Sequence, residues 1–131
     1  MTTPLRAMIV DDEPIVGRRL KPVLEKLGFE VEVFEDSTLA LARFFEARFD
    51  IVVSDVKMKG MDGLALLERV RARSPRCKVI LITGYPSPEV AAEALARGAF
   101  DCLAKPFKTD HLRRVVERAT ASLREGRDAL P

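Results

Sequence analysis

No stretch of this sequence is long and apolar enough to cross a membrane, and its N-terminus lacks the apolar core of a signal peptide. Cysteine is scarce: Cys77 and Cys102 stand 25 positions apart, with no Cys-x-x-Cys pair and no cluster of histidines. That argues against a disulfide framework or a zinc site, and for two small buried residues in a reducing cytoplasm. A strong charge of either sign is missing too. The 22 basic and 20 acidic side chains leave a formal charge of +2, which gives no reason to expect direct nucleic-acid binding or a membrane surface as partner. Internal repeats and low-complexity tracts are absent. What is there is 131 residues, 47% hydrophobic and 32% charged, enough for one soluble domain with its own core.

Short apolar runs at 7–10, 51–53 and 79–82 predict strands covered on both faces, as in the middle of a parallel sheet. The stretch 29–34 alternates Phe29, Val31 and Val33 with Glu30 and Glu32, which suits a half-exposed edge strand. A fifth run, 100–103, is broken by Asp101 and reads as the other edge. Helical stripes separate them. Val16, Leu20, Val23, Leu24 and Leu27 mark a helix opening near Pro14 and ending at Gly28, and Leu41, Phe44 and Phe45 mark a second, with Ser37 or Thr38 as N-cap. Gly63, Leu66, Leu67 and Val70 mark a third. A fourth opens at Ser87 and Pro88 and stops at Gly98, and a fifth runs from Thr109 as cap through Leu112, Val115, Val116, Ala119 and Leu123. Strict alternation with short links predicts an α/β fold: one doubly wound, five-stranded parallel sheet in flavodoxin-like order 2-1-3-4-5 with five helices. The domain is expected to span 1–124, with 125–131 a polar tail or the start of a linker.

The polar residues fall in a pattern on that frame. Asp11 and Asp12 follow strand 1, Asp55 follows strand 3, Thr83 closes strand 4 and Lys105 follows strand 5. All lie at carboxyl ends of strands, and the order reverses between strands 1 and 3, where open α/β sheets bind ligands. Three carboxylates brought together repel, and a hard cation such as Mg²⁺ relieves that. With Lys105 the charges then balance. An acyl phosphate on one aspartate adds roughly one negative charge, which Mg²⁺ and Lys105 can clamp while the Thr83 hydroxyl turns to a phosphoryl oxygen. Each residue also has a plain structural role open to it. Asp11, Asp12 and Glu13 suit a helix N-terminus, Asp55 a turn, Thr83 a strand, and Lys105 with Pro106 a link. Those roles give no reason for all of them to share one sheet edge.

The segments Val10-Asp11-Asp12-Glu13-Pro14, Ser54-Asp55-Val56-Lys57-Met58, Gly60-Met61-Asp62-Gly63, Leu81-Ile82-Thr83-Gly84-Tyr85, Gly98-Ala99-Phe100 and Ala104-Lys105-Pro106-Phe107 together resemble the receiver domains of two-component response regulators. The Ile-Thr-Gly-Tyr wording is most similar to receivers of the nitrogen-regulator type. The resemblance implies that Asp55 accepts a phosphoryl group from a sensor histidine kinase or phosphotransfer protein. It implies Asp12 as a direct Mg²⁺ ligand, Asp11 as a ligand through water and the Lys57 carbonyl as the remaining protein ligand, with Thr83 and Lys105 on the phosphoryl group. It further implies a cytoplasmic signalling switch rather than an enzyme, with output through the surface of helix 4, strand 5 and helix 5 to an effector domain or a homodimer partner. Lys57 and Tyr85 sit where, in the family, side chains tune how long the acyl phosphate lasts.

Two departures stand out. Lys59 replaces the proline many relatives carry, and Cys102 stands at the switch position, three residues before the lysine, where Tyr or Phe is usual. The phosphoryl chemistry is expected to be kept and the aromatic part of the coupling altered. Two other classes fit less well. A haloacid-dehalogenase-type hydrolase wants an acid two residues after its nucleophile, where this chain has Lys57. A flavodoxin-like cofactor binder wants a Gly, Ser and Thr loop after strand 1, where an acidic loop repels phosphate. His111, the one histidine, is expected on the solvated surface.

Overall fold

A computed structural model describes residues 4–128, with side chains placed through 125. Five strands alternate with five helices: β1 (Arg6–Val10), α1 (Pro14–Lys26), β2 (Glu30–Phe34), α2 (Ser37–Glu46), β3 (Ile51–Asp55), α3 (Gly63–Arg73), β4 (Lys78–Thr83), α4 (Pro88–Ala96), β5 (Asp101–Ala104) and α5 (Thr109–Asp128). The strands form one parallel sheet in the order β2-β1-β3-β4-β5, as the alternation predicts. Among the described residues no helix is long and apolar enough to cross a membrane.

The burial of each strand follows its composition. β3 is buried throughout and β1 and β4 are buried after their first residue, whereas β2 and β5 are partly open. Because strand side chains alternate, the three central strands feed two cores. Met8, Val10, Val52 and Leu81 face α2, α3 and α4; Ala7, Ile9, Ile51, Val53, Ile80 and Ile82 face α1 and α5. The split follows from handedness. Right-handed crossovers place α1 on one face while the chain steps from β1 out to β2. They place α2, α3 and α4 on the other face once it doubles back through β3, β4 and β5. Burying a side chain the size of Leu20 or Leu67, both inaccessible, contributes about 2 kcal/mol each.

Local signals set the helix ends, with some corrections to the expected caps. Gly28 and Gly98 take φ of +93° and +104°, and the N–H of the following residue reaches back into the last turn in each case. The fourth helix opens where expected, with Ser87 as the cap of α4, accepting from the Val90 N–H at 3.1 Å. The cap of α2 is Asp36, not Ser37 or Thr38, and it accepts from the Leu39 N–H at 3.0 Å. Ser37 is instead buried in the first turn, its hydroxyl donating to the Met61 carbonyl at 2.7 Å. Thr109 is the first residue of α5 rather than the residue before it. That helix continues through Asp128, into the segment 125–131; residues 129–131 lie outside the described residues. Phe29 and Phe100 fall just outside β2 and β5, while β3 reaches Asp55 and β4 reaches Thr83.

Gly63 opens α3 against the backbone of the loop after β3. A Cβ there would lie 2.1 Å from the Asp55 carbonyl oxygen and 2.8 Å from the Val56 Cα, both backbone atoms with little room to yield. Its N–H also donates to the Val56 carbonyl at 2.7 Å. Gly63→Ala is expected to lower stability by about 1–3 kcal/mol, as overpacking does, measured by urea denaturation. An unchanged midpoint would show that the two segments are not so closely held.

Candidate functional site

Register brings the polar residues together at the carboxyl edge. Val10 pairs with Ser54, so Asp11 and Asp55, the next residues along, become neighbours across β1 and β3. Thr83 pairs with Ala104, which puts Lys105 beside the same edge. Ligand oxygens of Asp11, Asp12 and Asp55 all lie within 4.8 Å of one another, so these three can hold a metal ion. Lys105 Nζ reaches into the group, 3.1 Å from Asp55 Oδ2 and 3.4 Å from Asp11 Oδ2. Every residue expected at the site is therefore at this edge, but not all in the same role. The Lys57 backbone N–H points to Asp55 Oδ1 at 3.4 Å, and its side chain is exposed. Thr83 is buried, and its Oγ1 accepts from the Tyr85 N–H at 3.0 Å. The Lys57 ammonium lies 4.8 Å from the centroid of the exposed Tyr85 ring, a cation–π contact at the rim.

Burial makes the charge in this group costly. The side chains of Asp11 and Asp55 are only 1% and 8% exposed. Burial pushes the Asp11 carboxyl above its ordinary range; the Glu13 N–H, 2.9 Å from Oδ1, opposes that, and the charge of Asp55 adds to it. For Lys105, burial works against the ammonium, but the hydrogen bond to Asp55 and the charge of Asp11 outweigh it and the lysine is held above its usual value. Hard carboxylate oxygens with an excess of negative charge suit a divalent cation of the Mg²⁺ or Ca²⁺ kind. The acids are not spent on helix α1. Glu13 stands at its N-cap without a side-chain cap bond, and its first turn holds no acidic residue.

Three functional features were not in the predicted set. Glu13 Oε1 lies 3.4 Å from Lys105 Nζ, a contact the sequence hides because the residues are 92 apart. Gly63 and Ser37 fix the loop after Asp55 from α3 and α2; a glycine in the first turn of a helix was the available signal for the former. Cys77 is buried, and burial and then the charge of Asp50 push its thiol up to about 12. Cys102, expected to be buried as well, is half-buried because β5 is an edge strand; burial and then Asp101 raise its thiol also. His111 is exposed as expected.

A carboxyl with a raised pKa costs stability when ionised. That cost is absent at low pH, where folded and unfolded chains are both protonated, and sets in as pH rises through the carboxylate range. Asp11→Asn is therefore expected to raise the urea midpoint at pH 7 in a chelator, with the gain fading toward pH 4. A variant less stable than the parent at pH 7 would contradict the excess of negative charge.

Residues 7–117 match the family model described as "Response regulator receiver domain". The chain is 41% identical over 119 residues to the regulatory protein AtoC of Escherichia coli K12, covering 91% of this chain and 26% of that protein. It is 37% identical over 117 residues to the DNA-binding transcriptional regulator NtrC of Salmonella typhimurium, covering 89% and 25%. It thus spans about a quarter of the length of these curated relatives. The solution structure of the beryllofluoride-activated NtrC4 receiver domain dimer superposes with a TM-score of 0.85 at 30% identity, covering 90% of this chain and 98% of that one. Fold, edge chemistry and likeness agree: the chain belongs to the response-regulator receiver domains of two-component signalling.

Proposed function

We propose that Asp55 is the phosphoryl acceptor, and that Mg²⁺ is held by Asp11, Asp12 and Asp55 together with the Lys57 carbonyl. The observation that carries this is the shared ammonium: one lysine bridges two buried carboxylates while a third completes a metal-sized triad. A carboxylate oxygen of Asp55 forms the new bond to phosphorus, and the donor's bond to phosphorus breaks with its electron pair leaving on the donor. Mg²⁺, when bound, supplies positive charge to the oxygens of the transferring group. Lys105 is within reach of the same oxygens and neutralises charge as it grows. Thr83 orients the product: its hydroxyl turns to a phosphoryl oxygen, and the Tyr85 N–H it now holds must follow or be left unpaired.

In this reading the chain catalyses its own phosphorylation and slow dephosphorylation and has no other enzymatic role. The donor is a sensor histidine kinase or a phosphotransfer protein. Residues 1–124 form the receiver, and 125–131 are a polar tail or the start of a linker. The output surface in this reading is that of α4, β5 and α5, and the longer relatives and the dimeric NtrC4 receiver support an effector domain or a second copy as its partner. Its cytoplasmic setting goes with relatives that include a DNA-binding regulator. Cys102 brings no aromatic ring to that surface, so the coupling runs through Thr83 and the β4–α4 loop.

Incubation with Mg²⁺ and acetyl phosphate, followed by intact mass, is expected to add one phosphoryl group to the parent and none to Asp55→Asn. No gain, or a gain that survives the substitution, sinks the assignment. Tyr85, stacked beneath the Lys57 ammonium, screens the acyl phosphate from water. Tyr85→Ala is expected to shorten its lifetime about two- to fivefold, the scale of an exposed cation–π contact. An unchanged decay rate would remove Tyr85 from that role.

A further inference from the structure

Lys105 has three carboxylate partners, and the third lies outside the acidic triad. Asp55 Oδ2 lies at 3.1 Å, Asp11 Oδ2 at 3.4 Å and Glu13 Oε1 at 3.4 Å from the same Nζ. Asp11 and Asp55 are buried members of the acidic triad. The Glu13 side chain is 63% exposed and lies outside it. Nor does helix α1 account for Glu13, since its side chain makes no cap bond.

We propose that Glu13 is a positioning residue that anchors the Lys105 ammonium at the mouth of the site before phosphorylation and slows phosphoryl uptake by doing so; this rests on Asp55 being the acceptor. The carboxylates compete for one ammonium. With Asp11 and Asp55 engaged on a cation, Glu13 is the one partner of Lys105 outside the metal triad among the described residues. The lysine side chain is 23% exposed, and its ammonium lies between buried and open carboxylates, so its place depends on which of them is free to hold it. An incoming phosphoryl donor is anionic. It must draw Lys105 away from Glu13, and it also meets the carboxylate of Glu13 as a like charge at the rim. Replacing that carboxylate with a neutral amide removes both obstacles and leaves the fold alone, because Glu13 is exposed.

The test uses the full chain in magnesium chloride, as parent and as Glu13→Gln. Brief acetylation with acetic anhydride, resolved by residue with mass spectrometry, reads how firmly the Lys105 amine is held, with exposed Lys26 as internal reference. Lys105 is expected to label about two- to fivefold faster relative to Lys26 in the variant, the range of a partly exposed ion pair. Phosphorylation by acetyl phosphate is expected to quicken by a similar factor at low ionic strength, the difference shrinking as salt screens it. Unchanged Lys105 labelling overturns the proposal, and so does an unchanged phosphorylation rate in a parent that does accept phosphate. A parent that takes no phosphate at all is a failure of the Asp55 assignment instead, and the labelling ratio then decides the role of Glu13 alone.

Discussion

The site depends on negative charge buried at one edge of a sheet with too little positive charge to match it. Asp11 and Asp55 are almost without solvent, and one ammonium serves both. Removing an ionised carboxylate from water costs several kcal/mol unless it is paired and hydrogen-bonded, and one lysine cannot fully pair two. Burial first, and then the charge of Asp55, hold the Asp11 carboxyl above its ordinary range in spite of Lys105. A resting site of this kind is stable enough to fold and still short of positive charge, which is the condition under which a divalent cation binds. In the proposed reading, phosphorylating Asp55 shifts the charge again, and Lys105 and Thr83 are the groups free to respond.

Nothing local to any one acid produces this arrangement. The parallel register of β1 on β3 sets Asp11 beside Asp55, and that of β4 on β5 brings Lys105 in from the far side. The loop after Asp55 is then held from beneath. Gly63 lets α3 start against the Asp55 carbonyl, and Ser37 ties the loop to α2 through the Met61 carbonyl. A side chain at position 63 would push the backbone of Asp55 and Val56. The fold thus supplies what the charges by themselves oppose, a fixed short spacing between like groups.

Much of this was legible in the sequence because it rests on patterns of short period. Continuous apolar runs marked β1, β3 and β4 as interior, and the polar residues at their ends named the edge where chemistry would sit. What was not legible depends on distant partners. Ser37 and Asp36 are both competent N-caps, and the choice is made by a carbonyl 24 residues away from Ser37 that claims its hydroxyl. Glu13 reads as an acid at a helix start until β5 delivers a lysine to it. Cys102 reads as one more small buried residue by type, and its place on the outermost strand leaves it half open.

That last position bears on how a signal would leave the site. Cys102 packs against the core on the α4 face with a small, uncharged side chain, so nothing there has to swing when the site changes. Thr83 is a better lever. Its hydroxyl already holds a backbone N–H of the β4–α4 loop, that of Tyr85, and its own carbonyl accepts from the Lys105 N–H at 2.8 Å. In the proposed reading, a movement of this one residue is felt in both segments that flank the surface of α4, β5 and α5. The helix it would pull on is lightly anchored: Ala94 is the only fully buried residue of α4, and Leu95 beside it is 53% exposed. Few buried contacts mean a low cost of displacement, so α4 is the element that can move without disturbing the sheet.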